Sequence, residues 1–589
     1  MKTFQKFFKT ILSLVIVFSM IIPVHAEGTE PPKTAYTITI TNSDAISSAN
    51  HVYKAYQIFK GDLDKAGTVL SNIQWGDNVD GTTFLAALKS AVELCTNPED
   101  LNTNIFKDAT DAAEVAAILA KNKTSDVVSG FAKVATAKIQ NAPIAASEQS
   151  DAPYTISIPL DQAGYYLVTD ELKDGLTGDA ALNKDISDFI LQVVADTTVE
   201  HKGSIPTMDK QVSETGSTYH DSIATGINDT HYYRITAELP DDYGLYDTYY
   251  LEFSDTMSEE ITFENIVAVK ALIRSSGKEI VYNICNNTEC NEENGKLCVG
   301  YHVNLNTSKT DLSVVFRNLK NAGGKGISDG VEKEIAPVVL TSADAVEIIY
   351  KAHLNEQAVV NGEGIPNNAH IKYSNNPNTD GRGQSTPDET NVYPMGLKVI
   401  KVDGTDTEKE LQGAEFILGR IISDGASSHP DYAVVNEGKI DEWVHHYEGD
   451  KCGESHEGET LATPLITGAD GSINVAGLDT GDYVLKEIKA PDGYNKLTED
   501  VVFSFSMTID EANDKIATVT GQTNQGSINF EKVGEKLTGV VELTINNYIG
   551  DVLPTTGGIG TTLFYVMGGM MAVAAFVLLV TKRRMNMEA

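Results

Sequence analysis

The chain has 589 residues, of which 45 are basic and 83 acidic, so its formal net charge is −38. A surface with this charge repels phosphate backbones, which excludes nucleic-acid binding as an expected function. The length allows roughly three or four domains. The five cysteines are too few for disulfides to be the main source of stability in an exported protein. Any pairing among Cys285, Cys290 and Cys298 stays open.

The first 26 residues have the pattern of a secretory signal peptide. Three lysines precede an apolar stretch at residues 11–22, and small residues follow at Val24 and Ala26. A positively charged start, an apolar middle and a small-residue cleavage site are typical of such signals. We therefore predict that residues 1–26 are removed and that the mature, secreted protein starts at Glu27.

The last 37 residues combine three ordered parts. A pentapeptide is followed by an apolar run at 563–580, long enough to span a membrane as a helix, and by a basic tail at 582–589. The order resembles the cell-wall sorting signal of Gram-positive surface proteins, and the alternative is an ordinary C-terminal membrane anchor. The pentapeptide consists of Leu553, Pro554, Thr555, Thr556 and Gly557.

The resemblance implies a partner and a reaction. A sortase would cleave the bond between Thr556 and Gly557 and pass the Thr556 carboxyl to an amine. If the amine belongs to a peptidoglycan peptide, the product is a monomeric wall protein. If it is a lysine of another copy, the product is a covalent polymer.

Residues 27–200 are expected to form the first domain. Alternating strand patterns at its start and end enclose three alanine-rich helical stretches, at 83–94, 111–120 and 125–137. A β-sandwich with a helical insertion explains this order. The strands, including residues 52–59, resemble the N-terminal domain of major pilins. No internal bond is assigned to this domain.

Residues 202–384 are expected to form a second, immunoglobulin-like β-sandwich, because many short strands alternate with polar turns. The arrangement resembles the collagen-adhesin A-type pilin domain, in which a lysine near the start bonds to an asparagine of the last strand beside an aspartate. The implied set is Lys210, Asp255 and Asn375. Asn375 is preferred over Asn376 because it shares a strand face with Ile371 and Tyr373.

Residues 391–550 are expected to form the third domain. Residues 483–494, YVLKEIKAPDGY, closely resemble the E-box of collagen-adhesin B-type domains, with Ile488 where threonine is usual. The implied bond set is Lys401, Glu487 and Asn547. Asn547 lies on the apolar face of the closing strand. The fold class is therefore mainly β, with tandem immunoglobulin-like sandwiches.

These residue types can form an amide bond inside a folded domain. Burial lowers the pKa of a lysine, which makes the amine neutral and nucleophilic, and it raises the pKa of a carboxyl group, which can then donate a hydrogen bond to the asparagine carbonyl. Holding both groups in contact supplies an effective molarity on the order of 10⁵ M. The acidic residues, Glu487 and Asp255, therefore promote a single-turnover self-modification. The alternative is that Lys210 and Lys401 are solvated strand lysines.

Backbone pilins carry an acceptor lysine at the junction of their first two domains, which points to Lys202. Its context lacks the usual proline, so Lys54 and Lys210 remain alternatives, and so does a merely solubilising role. Among other candidates, His445, His446, Cys452 and His456 fall in one acidic loop, but no zinc-binding spacing is present. We interpret that loop as solvated and expect no metal and no cofactor.

The sequence as a whole predicts the structural backbone subunit of a sortase-assembled pilus anchored to the cell wall. Its expected partners are sortase, other copies of itself, minor pilins and peptidoglycan, and adhesion to host surface ligands would be served indirectly. No hydrolase or nucleotide-binding pattern is present, so no enzymatic turnover is expected. The main alternative is a monomeric wall-anchored adhesin or minor pilin, and a wall-anchored enzyme is the weaker third class.

Overall fold

The computed structural model is mainly β, as the sequence predicts: the described residues form 34 β-strands and three α-helices. Contacts divide the chain into two compact units. The first comprises Met1–Ile223, Asp229–Ala358 and Gly364–Val392, and the second comprises Ala224–Asn228, Val359–Glu363 and Tyr393–Ala589. The structure describes residues 34–42, 49–97, 100–122, 125–201, 203–284, 300–328, 331–423, 428–449, 459–510, 513 and 515–550.

The expected signal peptide, sorting pentapeptide, membrane segment and basic tail all lie outside the described residues. Within the described ranges, no helix is long and apolar enough to cross a membrane.

The first part of unit 1 contains two sheets and the three helices. One sheet has the order β5-β1-β8, and the other has the order β3-β2-β6-β7 with β4 paired to β2. Buried tyrosines and isoleucines, such as Tyr53, Tyr154 and Ile156, form the core between them. The strands are β1 (Ala35–Thr41), β2 (His51–Leu63), β3 (Leu70–Trp75), β4 (Ala145–Ala146), β5 (Tyr154–Pro159), β6 (Gly164–Leu172), β7 (Phe189–Val193) and β8 (Thr197–Glu200).

The helices are inserted between β3 and β4, so the predicted helical insertion is confirmed. They are α1 (Gly81–Ser90), α2 (Ala112–Lys121) and α3 (Ser125–Thr136). Asp80 caps α1 by accepting a hydrogen bond from the Thr83 amide at 2.8 Å, and Asp111 caps α2 in the same way. Such caps satisfy amides that have no partner within the helix.

The second part of unit 1 is built from two seven-stranded sheets. Their orders are β10-β22-β20-β12-β16-β15, with β21 on β20, and β18-β17-β14-β13-β19-β11-β9. Alternate residues of β11 and β20 are buried, as expected of strands that cover a core on one face. The strands are β9 (Thr207–Ser213), β10 (Ser222–Ala224), β11 (Thr230–Glu238), β12 (Leu251–Met257), β13 (Ile261–Ile273), β14 (Lys278–Tyr282), β15 (His302–Leu305), β16 (Asp311–Phe316), β17 (Gly324–Ser328), β18 (Val331–Ile335), β19 (Ala345–Leu354), β20 (Ile365–Ser374), β21 (Arg382–Gln384) and β22 (Asp388–Tyr393).

Unit 2 is one twelve-stranded sheet with the order β32-β31-β30-β25-β26-β27-β29-β23-β34-β33, to which β24 and β28 are added on β23 and β25. Its first long strand, β23, pairs in parallel with its last, β34. The strands are β23 (Met395–Asp403), β24 (Asp406–Glu410), β25 (Glu415–Ser423), β26 (Ser428–Asn436), β27 (Lys439–Val444), β28 (Leu465–Ile466), β29 (Ser472–Leu478), β30 (Gly481–Lys489), β31 (Val501–Asp510), β32 (Lys515–Thr523), β33 (Ser527–Val533) and β34 (Lys536–Asn547).

Candidate cross-linking sites

Three strands of unit 2 bring Lys401, Glu487 and Asn547 together. The parallel register of β23 and β34 pairs Lys401 with Ile545 and Asp403 with Asn547. Because residues two apart on a strand share a face, Lys401 and Asn547 point to the same side. Glu487, near the end of β30, completes the group. All three residues are at most 4% exposed.

The three side chains are in direct contact. The Lys401 Nζ donates a hydrogen bond to the Asn547 Oδ1. The Asn547 Nδ2 donates to the Glu487 Oε1 at 3.0 Å, and the same Oε1 lies 3.5 Å from the Lys401 Nζ. The lysine amine, the amide and the carboxyl group thus form a closed triangle.

The surroundings favour the neutral amine. Burial among apolar groups lowers the pKa of Lys401 to about 8, although the neighbouring Glu487 acts in the opposite direction. The Nζ lies 5.5 Å from the centroid of the Phe416 ring. At neutral pH a useful fraction of this lysine can therefore act as a nucleophile.

Backbone groups hold the acid and the amide in place. The Leu497 amide donates to the Glu487 Oε2 at 2.6 Å, and the Asn547 Nδ2 also donates to the Asn495 carbonyl at 3.0 Å. Glu487 therefore meets the amide nitrogen, which is the leaving group of the expected reaction. The sequence led us to expect contact with the carbonyl oxygen instead.

A second buried pair lies in unit 1. The Lys210 Nζ on β9 donates to the Asp255 Oδ2 on β12, and both side chains are at most 1% exposed. Burial lowers the pKa of Lys210 and raises the pKa of Asp255, while the attraction between the two acts against both changes. The Lys210 Nζ also lies 5.2 Å from the centroid of the Tyr233 ring.

The structure does not bring Asn375 to this pair. Asp255 pairs with Ala369 on β20, and Asn375 lies six residues further along, a distance of about 20 Å. Its side-chain amide instead donates to the Lys184 carbonyl at 3.4 Å. Asn375 lies on the buried face, as predicted. It lies too far along the chain, however, to meet Lys210 and Asp255.

Asn367 is the buried asparagine of β20 that lies beside Asp255. It lies on the same face of β20, is 0% exposed, and pairs with Met257, two residues beyond Asp255. Burial raises the pKa of Asp255, and the nearby Lys210, Tyr350 and Asn367 side chains act in the opposite direction. The Asn367 Nδ2 also donates to the Tyr350 hydroxyl at 2.7 Å. The alternation of side chains along the sequence cannot distinguish Asn367 from Asn375, because residues an even number of positions apart lie on the same face of a strand.

The residues predicted to join one copy to the next are described only in part. The acceptor candidate Lys202 and the residues of the sorting pentapeptide lie outside the described residues. The alternative acceptor Lys54 forms an ion pair with Glu171 at 2.5 Å on the surface of the β2–β6 pair. The other alternative, Lys210, is buried.

Two segments match known families. Residues 395–525 match the SpaA family model, described as a prealbumin-like fold domain. Residues 546–586 match the LPXTG cell wall anchor motif. The wall anchor predicted from the sorting pentapeptide is therefore confirmed.

Longer similarities extend over most of the chain. The trypsin-resistant surface T6 protein of Streptococcus pyogenes serotype M6 is 25% identical over 444 residues, which are 65% of this chain and 70% of that protein. The solved T6 backbone pilin of serotype M6 Streptococcus pyogenes has 18% identity and a TM-score of 0.46, covering 88% of this chain and 100% of the other. The major pilin SpaD from Corynebacterium diphtheriae has 18% identity and a TM-score of 0.42, covering 88% and 98%.

The predicted resemblance to sortase-assembled surface proteins of Gram-positive bacteria is confirmed by the two family models and by the similarity to the T6 surface protein. The chain is a cell-wall-anchored surface protein of the Gram-positive LPXTG type, with a prealbumin-like SpaA domain in a mainly β architecture.

Proposed function

We propose that this chain is the backbone subunit of a covalently polymerised surface pilus. Sortase joins the Thr556 carboxyl of one copy to a lysine of the next, and Lys202 is the proposed acceptor. Internal amide bonds between lysine and asparagine stabilise each subunit. The observation that carries the proposal is the buried triangle of Lys401, Asn547 and Glu487, because a solvated strand lysine would not be enclosed in this way.

The three residues of the triangle supply all the atoms and protons that the internal reaction needs. The neutral Lys401 Nζ attacks the Asn547 Cγ, and a new C–N bond forms. The bond from Cγ to Nδ2 breaks, and the nitrogen leaves as ammonia. Glu487, which contacts both nitrogens, carries the proton from the attacking amine to the leaving nitrogen. The product is an amide, and Glu487 ends in the protonation state in which it began.

In unit 1 we propose the corresponding bond between Lys210 and Asn367, with Asp255 as the proton carrier. The Asp255 carboxylate contacts the Lys210 amine directly, and the Asn367 side chain acts to lower the pKa of Asp255. Its raised pKa favours the protonated form that can hand a proton to the departing ammonia.

Both bonds would suit a subunit that transmits tension. In unit 2 a pull enters at the start of β23 and leaves at the end of β34, next to Asn547. With Lys401 joined to Asn547, force passes from β23 through the new amide directly into the chain leading to the sorting pentapeptide. The rest of unit 2 lies outside the path of the force and cannot be unravelled by it.

Intact-mass measurement tests the internal bonds. The wild-type chain should be lighter than its sequence mass by two ammonias, about 34 Da in total, because each amide formed releases one. Glu487→Ala should restore one ammonia, about 17 Da. Glu542→Ala is the matched control, since Glu542 pairs with the half-exposed Lys398 at 2.9 Å and takes no part in the triangle.

Polymerisation is tested separately on cell-wall extracts. Boiled extracts of cells that express the chain with its sortase should show a ladder of high-molecular-weight species. A single band would instead favour the monomeric adhesin. Loss of the ladder in Thr556→Ala would show that the products depend on the sorting pentapeptide.

A further inference from the structure

Three side chains with metal-binding atoms converge at the β26–β27 hairpin of unit 2. His429 and Asp431 are two residues apart on β26, so their side chains lie on the same face. His445 directly follows β27, one step beyond the pair formed by Tyr432 and Val444. It therefore lies across from Asp431 on the neighbouring strand.

Their donor atoms meet at one carboxylate oxygen. The Asp431 Oδ1 lies 2.8 Å from the His445 Nδ1 and 3.8 Å from the His429 Nε2. All three potential ligand atoms lie within 4.8 Å of one another. In a tetrahedral zinc site with bonds of about 2.0–2.1 Å, donor atoms are separated by roughly 3.3 Å. Small side-chain rotations therefore suffice to surround an ion.

The two histidines have room for such rotations. The side chains of His429 and His445 are 45% and 73% exposed, and that of Asp431 is 18% exposed. The two histidines thus lie on the surface beside a mostly buried aspartate, and they also line a groove with Tyr432, His446 and Lys486. An ordinary surface hydrogen bond to an aspartate involves one histidine ring. Here two histidine rings approach the same carboxylate oxygen.

We propose that His429, Asp431 and His445 bind one Zn²⁺ ion, with water in the fourth position. Imidazole nitrogens and a carboxylate oxygen form a donor set that suits zinc and related divalent transition metals. The net charge of −38 also raises the local concentration of cations. The sequence favoured a solvated loop because His445, His446, Cys452 and His456 show no zinc-binding spacing, and it did not connect His445 with His429 on the neighbouring strand.

Zinc titration of the full chain, purified in mild detergent and stripped with a chelator, tests this site. Isothermal calorimetry with ZnCl₂ should show one binding event. Loss of a metal ligand should weaken zinc binding by at least about tenfold, since even replacing residues that hydrogen-bond to metal ligands weakens binding by that much. We expect this loss in His429→Ala and again in His445→Ala. Co²⁺ absorption of the wild-type chain should report nitrogen and oxygen ligands.

His446→Ala is the matched control, because His446 is adjacent in sequence and lines the same groove but is outside the donor set. Its affinity for zinc should equal that of the wild type. Thermal melting without metal checks that each variant is folded. The proposal is overturned if the wild-type chain does not bind zinc, if His429→Ala and His445→Ala bind normally, or if His446→Ala is weakened equally.

Discussion

Replacing Lys401 by methionine should make unit 2 extensible. The substitution removes the nucleophile but keeps an unbranched apolar chain of similar length in the buried site. Lys401 and Asn547 are 146 positions apart. In the linked protein, this segment is closed into a loop and cannot lengthen under a pull applied to the chain ends. At about 3.4 Å per residue, its release would add about 500 Å of contour length.

Single-molecule force spectroscopy on the processed chain measures this length directly. Wild-type traces should lack the release of about 500 Å, and Lys401→Met traces should contain it. Lys398→Met is the matched control, because Lys398 is on the same strand but pairs at the surface with Glu542. Its traces should match those of the wild type. The reasoning is refuted if wild-type unit 2 releases the full segment, or if Lys401→Met behaves like the wild type.

The same substitution should lower thermal stability. A cross-link that closes a loop of this size restricts the unfolded chain, and the chain-entropy relation gives about 5 kcal/mol. For a unit of this length, that corresponds to a transition roughly 10–20 °C lower. Differential scanning calorimetry of Lys401→Met and Lys398→Met would separate the loss of the bond from a general effect of substitution.

Three further predictions concern the bonds themselves. Asn367→Ala should restore one ammonia of mass, about 17 Da, whereas Asn375→Ala should leave the mass unchanged; the opposite result would restore the residue that the sequence favoured. Because burial lowers the pKa of Lys401 to about 8, its neutral form is lost as pH falls through that value. Ammonia release from newly made Asn367→Ala chain, followed by mass spectrometry, should slow by about tenfold per pH unit below that value and level off above it. Lys202→Ala should abolish the polymer ladder in wall extracts, and a ladder that persists would exclude Lys202 as the acceptor.

Sequence patterns predicted the three residues that meet in unit 2. The E-box placed Glu487 on a strand, and alternation placed Asn547 on the buried face of the last strand. That face has one asparagine at the end of the strand, so the alternation of side chains predicted Asn547. Capping aspartates before alanine-rich runs likewise located the helical insertion, because capping and helical periodicity are properties of neighbouring residues.

In unit 1, the alternation of side chains between the two faces of a strand was not enough to identify the asparagine. Alternation defines which face of β20 is buried, and it gives the same answer for Asn367 and for Asn375. Only the antiparallel register, in which Asp255 lies opposite Ala369, shows which of them is level with Asp255, the partner of Lys210. Register depends on contacts between strands that are distant in sequence, so no local pattern contains it.

The sequence alone determined the anchoring of this protein, its mainly β class and the residue types able to form internal bonds, because those features depend on composition and on short-range periodicity. The tertiary structure decided which asparagine lies beside Asp255 and which histidines share an aspartate. It also decided that Glu487 contacts the leaving nitrogen. Each of these depends on how far one strand is shifted along another, and that shift is fixed only when the two sides of the core pack together.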